Sequence, residues 1–197
     1  VISFSGDAIT CWFDGQSQAS EVLPTLRATA TALAMQAAMV QFSDIQITGG
    51  GYVSLGMKVA VAAGSVRRFI VGDPQYTLVD VMAGKTLENL ANCEHLADKG
   101  DIILDTAAVN ALGERLQISE WRTDEHTGEK FAVVTGLGED PKSLENPWRE
   151  LGPEIFSDEQ LRSWLIPAVY RLLNAGQGEF LAELRPASAL FLRFGGI

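Results

Sequence analysis

"FSGDAITCWF", Phe4 to Phe13, sets a Gly-Asp pair between two short apolar runs, Val1-Ile2-Ser3-Phe4 and Ala8-Ile9-Thr10-Cys11-Trp12-Phe13. Both runs read as strands, and strands joined by so short a link must lie antiparallel. Glycine supplies a positive φ angle without steric cost and aspartate tolerates the place beside it, so the plainest reading of Gly6-Asp7 is a tight hairpin. A second reading is that the turn projects the Asp7 carboxylate from a rigid strand end, where a metal ligand is wanted. Both stay open on this stretch alone.

Beyond the hairpin, Leu23, Leu26, Ala30, Leu33, Ala37 and Val40 recur at helical spacing, which predicts an amphipathic helix over Ser20 to Phe42 with Pro24 in its first turn. Thr48 to Gly51 reads as a loop. Met57 to Ala63 and Val66 to Val71 read as strands joined at Gly64-Ser65, with a short strand over Tyr76 to Val79 beyond the Gly72-Asp73-Pro74 turn. A helix follows from Lys85 to Ala97, stopped by Gly100. Then come a buried strand at Ile102 to Leu104, a short helix over Thr106 to Leu112, and a hairpin of Leu116 to Arg122 with Lys130 to Thr135. Strands and helices alternate irregularly and antiparallel hairpins are present, so the fold class is α+β, an α/β sandwich, and not a strict doubly wound sheet.

From Gly136 to Pro153 the composition turns to Gly, Pro, Glu and Asp, as in a linker. Ser157-Asp158-Glu159-Gln160 then opens a helix like a capping box, and Pro167 is expected to kink it. Another turn of helix is expected over Glu179 to Leu184, and a last strand over Ala189 to Phe194.

The chain of 197 residues is 47% hydrophobic, enough for one domain with a full core. Its net charge of −10 disfavours general attraction to nucleic-acid polymers or anionic membranes. Cys11 and Cys93 stand far apart with no Cys-x-x-Cys or Cys/His cluster, which argues against a zinc site and a disulfide framework and suits a reducing cytoplasm. No apolar run reaches the roughly 18 residues expected of a spanning helix.

Three motifs invite chemistry. Gly84-Lys85-Thr86 matches the tail of a phosphate loop, but the earlier glycine of that motif falls on Val79, so Lys85 more simply begins a helix. His95 and His126 lack sequence partners for triad or metal roles. Lys58 sits in an apolar strand, where a lysine either snorkels from an edge or faces an anion.

"FSGDAITCWF", the Ala-rich "ALAMQAAM", "LGMKVAVAAGSV" and "VGDPQYTLVDVMAGKTLENLANCEHLADKGDIILD" together resemble, in order and spacing, the class III nucleotidyl cyclase catalytic domain. The likeness runs from Val1 to about Thr135 and is greatest to the first cyclase domain of soluble adenylyl cyclase-type tandem proteins. It implies a ferredoxin-like fold, a mixed, mostly antiparallel sheet flanked by helices. It also implies conversion of ATP, or GTP, to the 3′,5′-cyclic nucleotide and pyrophosphate at the interface of two cyclase domains, with two ions of Mg²⁺ or Mn²⁺. Carried over position by position, Asp7 matches the second metal aspartate and Lys58 a basic position that contacts substrate phosphates. The first metal aspartate belongs to a strand upstream of Val1, so the sheet is expected to lack its first strand and the chain alone to be inactive.

Departures from the family pattern matter as much. Ser3 stands where many cyclases carry a purine-reading lysine, and Glu88 and Asn92 stand at the transition-state Asn and Arg positions. Asn92 has no permanent positive charge with which to stabilise a pentavalent phosphate. "ELRPASALFLRF" resembles the opening strand of a second cyclase domain, with Arg193 at its first metal position. The implied organisation is a first cyclase domain over residues 1–135, an interdomain linker with a helix over 136–184, and the start of a second domain over 185–197. The second domain would supply purine recognition and transition-state groups. The rival reading is a degenerate cyclase fold serving regulation or dimerisation, with a small anion as regulator.

Overall fold

The computed structural model describes residues 3–14, 24–138 and 155–178. Strands β1 (Ser3–Ser5) and β2 (Ala8–Thr10) pair antiparallel in the register Ser3↔Thr10, Phe4↔Ile9 and Ser5↔Ala8. The opening hairpin is therefore present but shorter than its apolar runs, since Cys11 to Phe13 leave the ladder. Helix α1 (Pro24–Met39) begins on its proline, where the absent N–H has no helical partner to lose, and Val40–Phe42 extend it as a 3₁₀ turn. The glycine-rich loop at Thr48 to Gly51 is the tip of a small ribbon, β3 (Ile45–Gln46) with β4 (Tyr52–Val53). Strands this short hold no alternation from which a sequence reading could detect them.

Strand β5 (Val59–Val61) is the middle of the apolar run Met57 to Ala63. Strands β6 (Arg67–Asp73) and β7 (Thr77–Ala83) pair with each other, so Gly64-Ser65 separates β5 from this ribbon and does not join two paired strands. β7 is longer than the strand expected at Tyr76 to Val79. Its extension carries Asp80, whose two carboxylate oxygens accept from Nε of Arg68 at 2.9 and 2.8 Å. That guanidinium holds the Asp80 carboxyl below the usual carboxylate range.

Helix α2 (Lys85–Leu96), strand β8 (Ile102–Asp105), helix α3 (Thr106–Leu112) and the hairpin of β9 (Leu116–Thr123) with β10 (Lys130–Leu137) lie close to their expected places. They build a four-stranded sheet of order β5-β8-β10-β9. β5 and β8 are parallel, and β10 is antiparallel to both of its neighbours. All four residues of β8 are buried, which is why Ile102 to Leu104 read as a continuous apolar run and not as an alternating one.

Successive side chains of a strand face opposite ways, and the core divides accordingly. Ile102, Leu104, Ala132, Val134 and Val61 pack with Leu26 and Ala32 of α1 and with Ala108, Val109 and Leu112 of α3. Ile103, Phe131 and Val133 pack on the other side with Cys93 of α2 and with Ala97. Helices thus cover both faces, giving the α+β sandwich. Full burial of a side chain such as Leu104 stabilises the fold by roughly 1.5–3 kcal/mol. Among the described residues no strand pairs with the outer edge of β5, and β1–β2 forms a sheet of its own.

The chain divides into two compact units, Val1–Phe69 with Asp80–Arg149, and Ile70–Val79 with Glu150–Ile197. In the second, helix α4 (Asp158–Ser163) carries the expected capping box: Oγ of Ser157 accepts from the Gln160 N–H at 3.2 Å and Oε1 of Gln160 accepts from the Ser157 N–H at 2.8 Å. Pro167 corrects the sequence reading, for it does not kink one helix but starts another, α5 (Pro167–Asn174). Proline forces the residue before it out of the helical region, and Ile166 has ψ of 140°. Most of the linker, the helical turn at Glu179 to Leu184 and the strand at Ala189 to Phe194, with Arg193, lie outside the described residues. No described helix is long and apolar enough to cross a membrane.

Candidate active site

Asp7 occupies the tip of the β1–β2 hairpin. Gly6 has φ of 61°, a conformation that any larger residue resists, and among the described residues no non-glycine residue shares its positive φ. Positive φ at the first turn residue only is the glycine-led hairpin turn whose twist suits the flanking strands. The short ladder on either side therefore sets the direction of an exposed carboxylate. Such an oxygen ligand suits a hard cation, but a set needs several. Among the described residues no three His, Cys, Asp or Glu side chains come together to hold a metal ion.

Lys58 lies one residue before β5. Its ammonium is 2.6 Å from Oε1 of Glu94 and donates to the Glu94 carbonyl at 2.9 Å, so in the isolated chain the anion it meets is the side of α2. Glu88 stands in the first turn of α2, exposed, with Lys85 3.6 Å away. Asn92, one turn further on, shares that side of the helix and is half-buried. Lys58, Glu88 and Asn92 are therefore all gathered on or against α2. Asp7 is carried by a different sheet.

The phosphate-loop reading of Gly84-Lys85-Thr86 does not survive the geometry. The residues before Gly84 are strand β7 and not a glycine-rich loop. Lys85 lies 3.3 Å from Oε1 of Glu129, whose hydrogen bond raises the lysine above its ordinary range. Oγ1 of Thr86 donates to the Ser65 carbonyl at 2.9 Å. Among the described residues neither His95 nor His126 joins a group of three metal-ligating side chains, and the backbone N–H of His126 donates to Oδ1 of Asp124 in a turn.

A polar group missed by sequence reasoning lies under α2. Asp105, at the end of β8, is 1% exposed. Its Oδ1 accepts from the N–H of Ala63 at 3.2 Å and of Ala108 at 2.8 Å, and its Oδ2 from Nδ2 of Asn89 at 3.3 Å. One carboxylate thus caps α3, fixes the chain leaving β5 and holds the inner side of α2. The available signal was an aspartate between an apolar strand and Thr-Ala-Ala at a helix start. Burial, with Asp105 nearby, also pushes the Cys93 thiol pKa far up, so it stays protonated.

No family model matches the chain, and no curated protein does. Among solved structures, the guanylyl cyclase Cya2 is 24% identical over 62% of this chain and 64% of its own, with a TM-score of 0.50. The guanylate cyclase domain of RhGC from Catenaria anguillulae, solved with GTP, is 17% identical over 60% of this chain and 64% of its own, with a TM-score of 0.41. The catalytic core of a rhodopsin-guanylyl cyclase of converted specificity, solved with ATPalphaS, is 17% identical over 60% and 63%, with a TM-score of 0.43. The fold is that of a class III nucleotidyl cyclase catalytic domain, as the likeness to Cya2 shows. The chain spans less than two thirds of the length of each of these structures.

Proposed function

We propose that this chain supplies one side of a nucleotidyl cyclase site, converting ATP to 3′,5′-cyclic AMP and pyrophosphate at the interface with a second cyclase domain, with GTP as the other candidate substrate. The supporting observation is the cyclase fold with Asp7 held at a glycine-led hairpin tip. Asp7 would be one carboxylate ligand of Mg²⁺ or Mn²⁺, the remaining ligands coming from outside the described residues. Such ions lower the pKa of an attacking hydroxyl and neutralise charge on a triphosphate. Lys58 would exchange Glu94 for a substrate phosphate. Glu88 and Asn92 cannot stabilise a pentavalent phosphate with positive charge, so that work falls to the partner domain.

A second reading, a degenerate cyclase fold acting as a regulatory or dimerisation module, draws support from Lys58 being already paired with Glu94 and Lys85 with Glu129. The deciding experiment is cyclic nucleotide production by the chain extended to include both cyclase domains, with ATP or GTP and Mg²⁺ or Mn²⁺. Activity lost in Asp7→Asn supports the cyclase. A folded protein that neither turns over nor binds a non-hydrolysable ATP analogue with metal by calorimetry favours the module.

A further inference from the structure

Helices α4 and α5 border an open surface depression of about 400 Å³ lined, among the described residues, by Arg162, Pro167, Tyr170 and Arg171. The guanidinium carbon of Arg162 stands 5.9 Å from the Tyr170 ring centroid, over its face. Nε of Arg171 donates to the Pro167 carbonyl at 3.2 Å, and among the described residues the two terminal nitrogens of that guanidinium have no hydrogen-bond partner. The carboxylate bonded to a lining residue is that of Asp158, and it accepts from the Tyr170 hydroxyl at 2.5 Å.

Neither lining arginine forms an ion pair with a carboxylate among the described residues. Arg68 and Arg122, by contrast, both do. In a chain with 25 acidic residues against 15 basic ones, two arginines that line one cavity and, among the described residues, pair with no carboxylate run against the charge balance, the nearby Asp158 being engaged by the Tyr170 hydroxyl. Like charges brought to a shared space repel unless an anion lies between them.

We propose that this cavity binds a small organic phosphate. The planar forks of Arg162 and Arg171 match phosphate oxygens in geometry and charge, and a phosphate dianion satisfies two guanidiniums where a carboxylate carries a single charge. Pro167 and the Tyr170 ring form an apolar wall for the ester's organic part. The volume lies within the roughly 300–1,000 Å³ of small-molecule pockets, more space than a bare ion needs. The site stands independently of the cyclase reading, since its residues take no part in that chemistry.

The test is isothermal titration of the full chain with phenyl phosphate. Saturable one-to-one binding is expected, weakening as salt rises. Arg162→Gln or Arg171→Gln should each weaken it about tenfold, and the double variant should abolish it. Arg67→Gln, a charge change elsewhere on the surface, should leave it unaltered. Inorganic phosphate should bind less tightly than the ester. Absence of saturable binding, retained affinity in a double variant with unchanged far-UV circular dichroism, or equal loss in Arg67→Gln overturns the proposal, and tighter binding of inorganic phosphate overturns the assignment to an ester.

Discussion

The ammonium of Lys58 rests 2.6 Å from Oε1 of Glu94, tying the start of β5 to the C-terminal half of α2. Both side chains are substantially exposed, at 40% and 54%, so the pair is screened by solvent. Glu94→Gln should change the unfolding free energy by less than about 1 kcal/mol, measured by urea denaturation. If Lys58 contacts substrate phosphates, Lys58→Met in the two-domain protein should raise KM for the nucleotide. A large loss of stability in Glu94→Gln with no change of KM in Lys58→Met would make the pair purely structural.

Asp105 is the buried group on which most backbone depends. Asp105→Ala strands the N–H groups of Ala63 and Ala108 and the amide of Asn89, and should cost roughly 2–4 kcal/mol by loss of the cap and of buried partners. Asp105→Asn keeps an acceptor oxygen and should cost less. Thermal unfolding of the two variants decides the matter, and equal losses would show that hydrogen bonding at this point contributes little.

The two cysteines should react differently. Cys11 is exposed, whereas Cys93 is fully buried and kept protonated. The thiolate is the nucleophile, so iodoacetamide should label Cys11 in the native protein and Cys93 only after denaturation. Native labelling of both at similar rates, read by mass spectrometry, would contradict the packing of α2 on the sheet.

Asp124 shapes the turn between β9 and β10, where its Oδ1 accepts from the N–H groups of His126 and Thr127 at 2.8 Å each. The Thr127 N–H first, and then that of His126, hold its carboxyl below the usual range. A pKa lower in the folded than in the unfolded state means that ionisation favours folding. The contribution is complete above the unfolded value of about 3.9 and is lost as pH falls through the lower folded value. The stability difference between the native chain and Asp124→Asn should therefore shrink on acidification below about pH 4. A carboxyl titration by NMR with its midpoint at or above the free-aspartate value would refute this.

Elements with a strong local signal were legible in the sequence. Lys85–Leu96 shows helical spacing and a glycine stop, Thr106–Leu112 follows the short apolar strand as a helix of its own, and the Gly6-Asp7 turn names its own geometry. The ribbon at Ile45 to Val53 was not legible, because two-residue strands carry no period. The break at Pro167 was misread as a kink because a proline marks both a bend and a first helical position, and the extended Ile166 decides which.

The candidate site divides along the same line. Asp7, Lys58, Glu88 and Asn92 were picked out by spacing and resemblance, but sequence could not tell that Lys58 meets Glu94, or that Asn89, and not Glu88, turns inward to Asp105. Nor did anything local announce that Arg162 and Arg171 share a cavity.

By itself the sequence determined the kinds of element, the turn that presents Asp7, the apolar run Ile102 to Leu104 and the acidic balance of the chain, since these follow from backbone preference, periodicity and composition. Tertiary structure alone decided that β5 and β8 lie side by side, that one carboxylate joins β5, α2 and α3, and which charges are neutralised. Those outcomes depend on contacts between residues distant in the chain, as with Lys58 and Glu94, 36 residues apart, or Ala63 and Asp105, 42 residues apart. Local sequence carries no geometric record of such pairings, because burial and chain crossover choose them only when the sheet assembles.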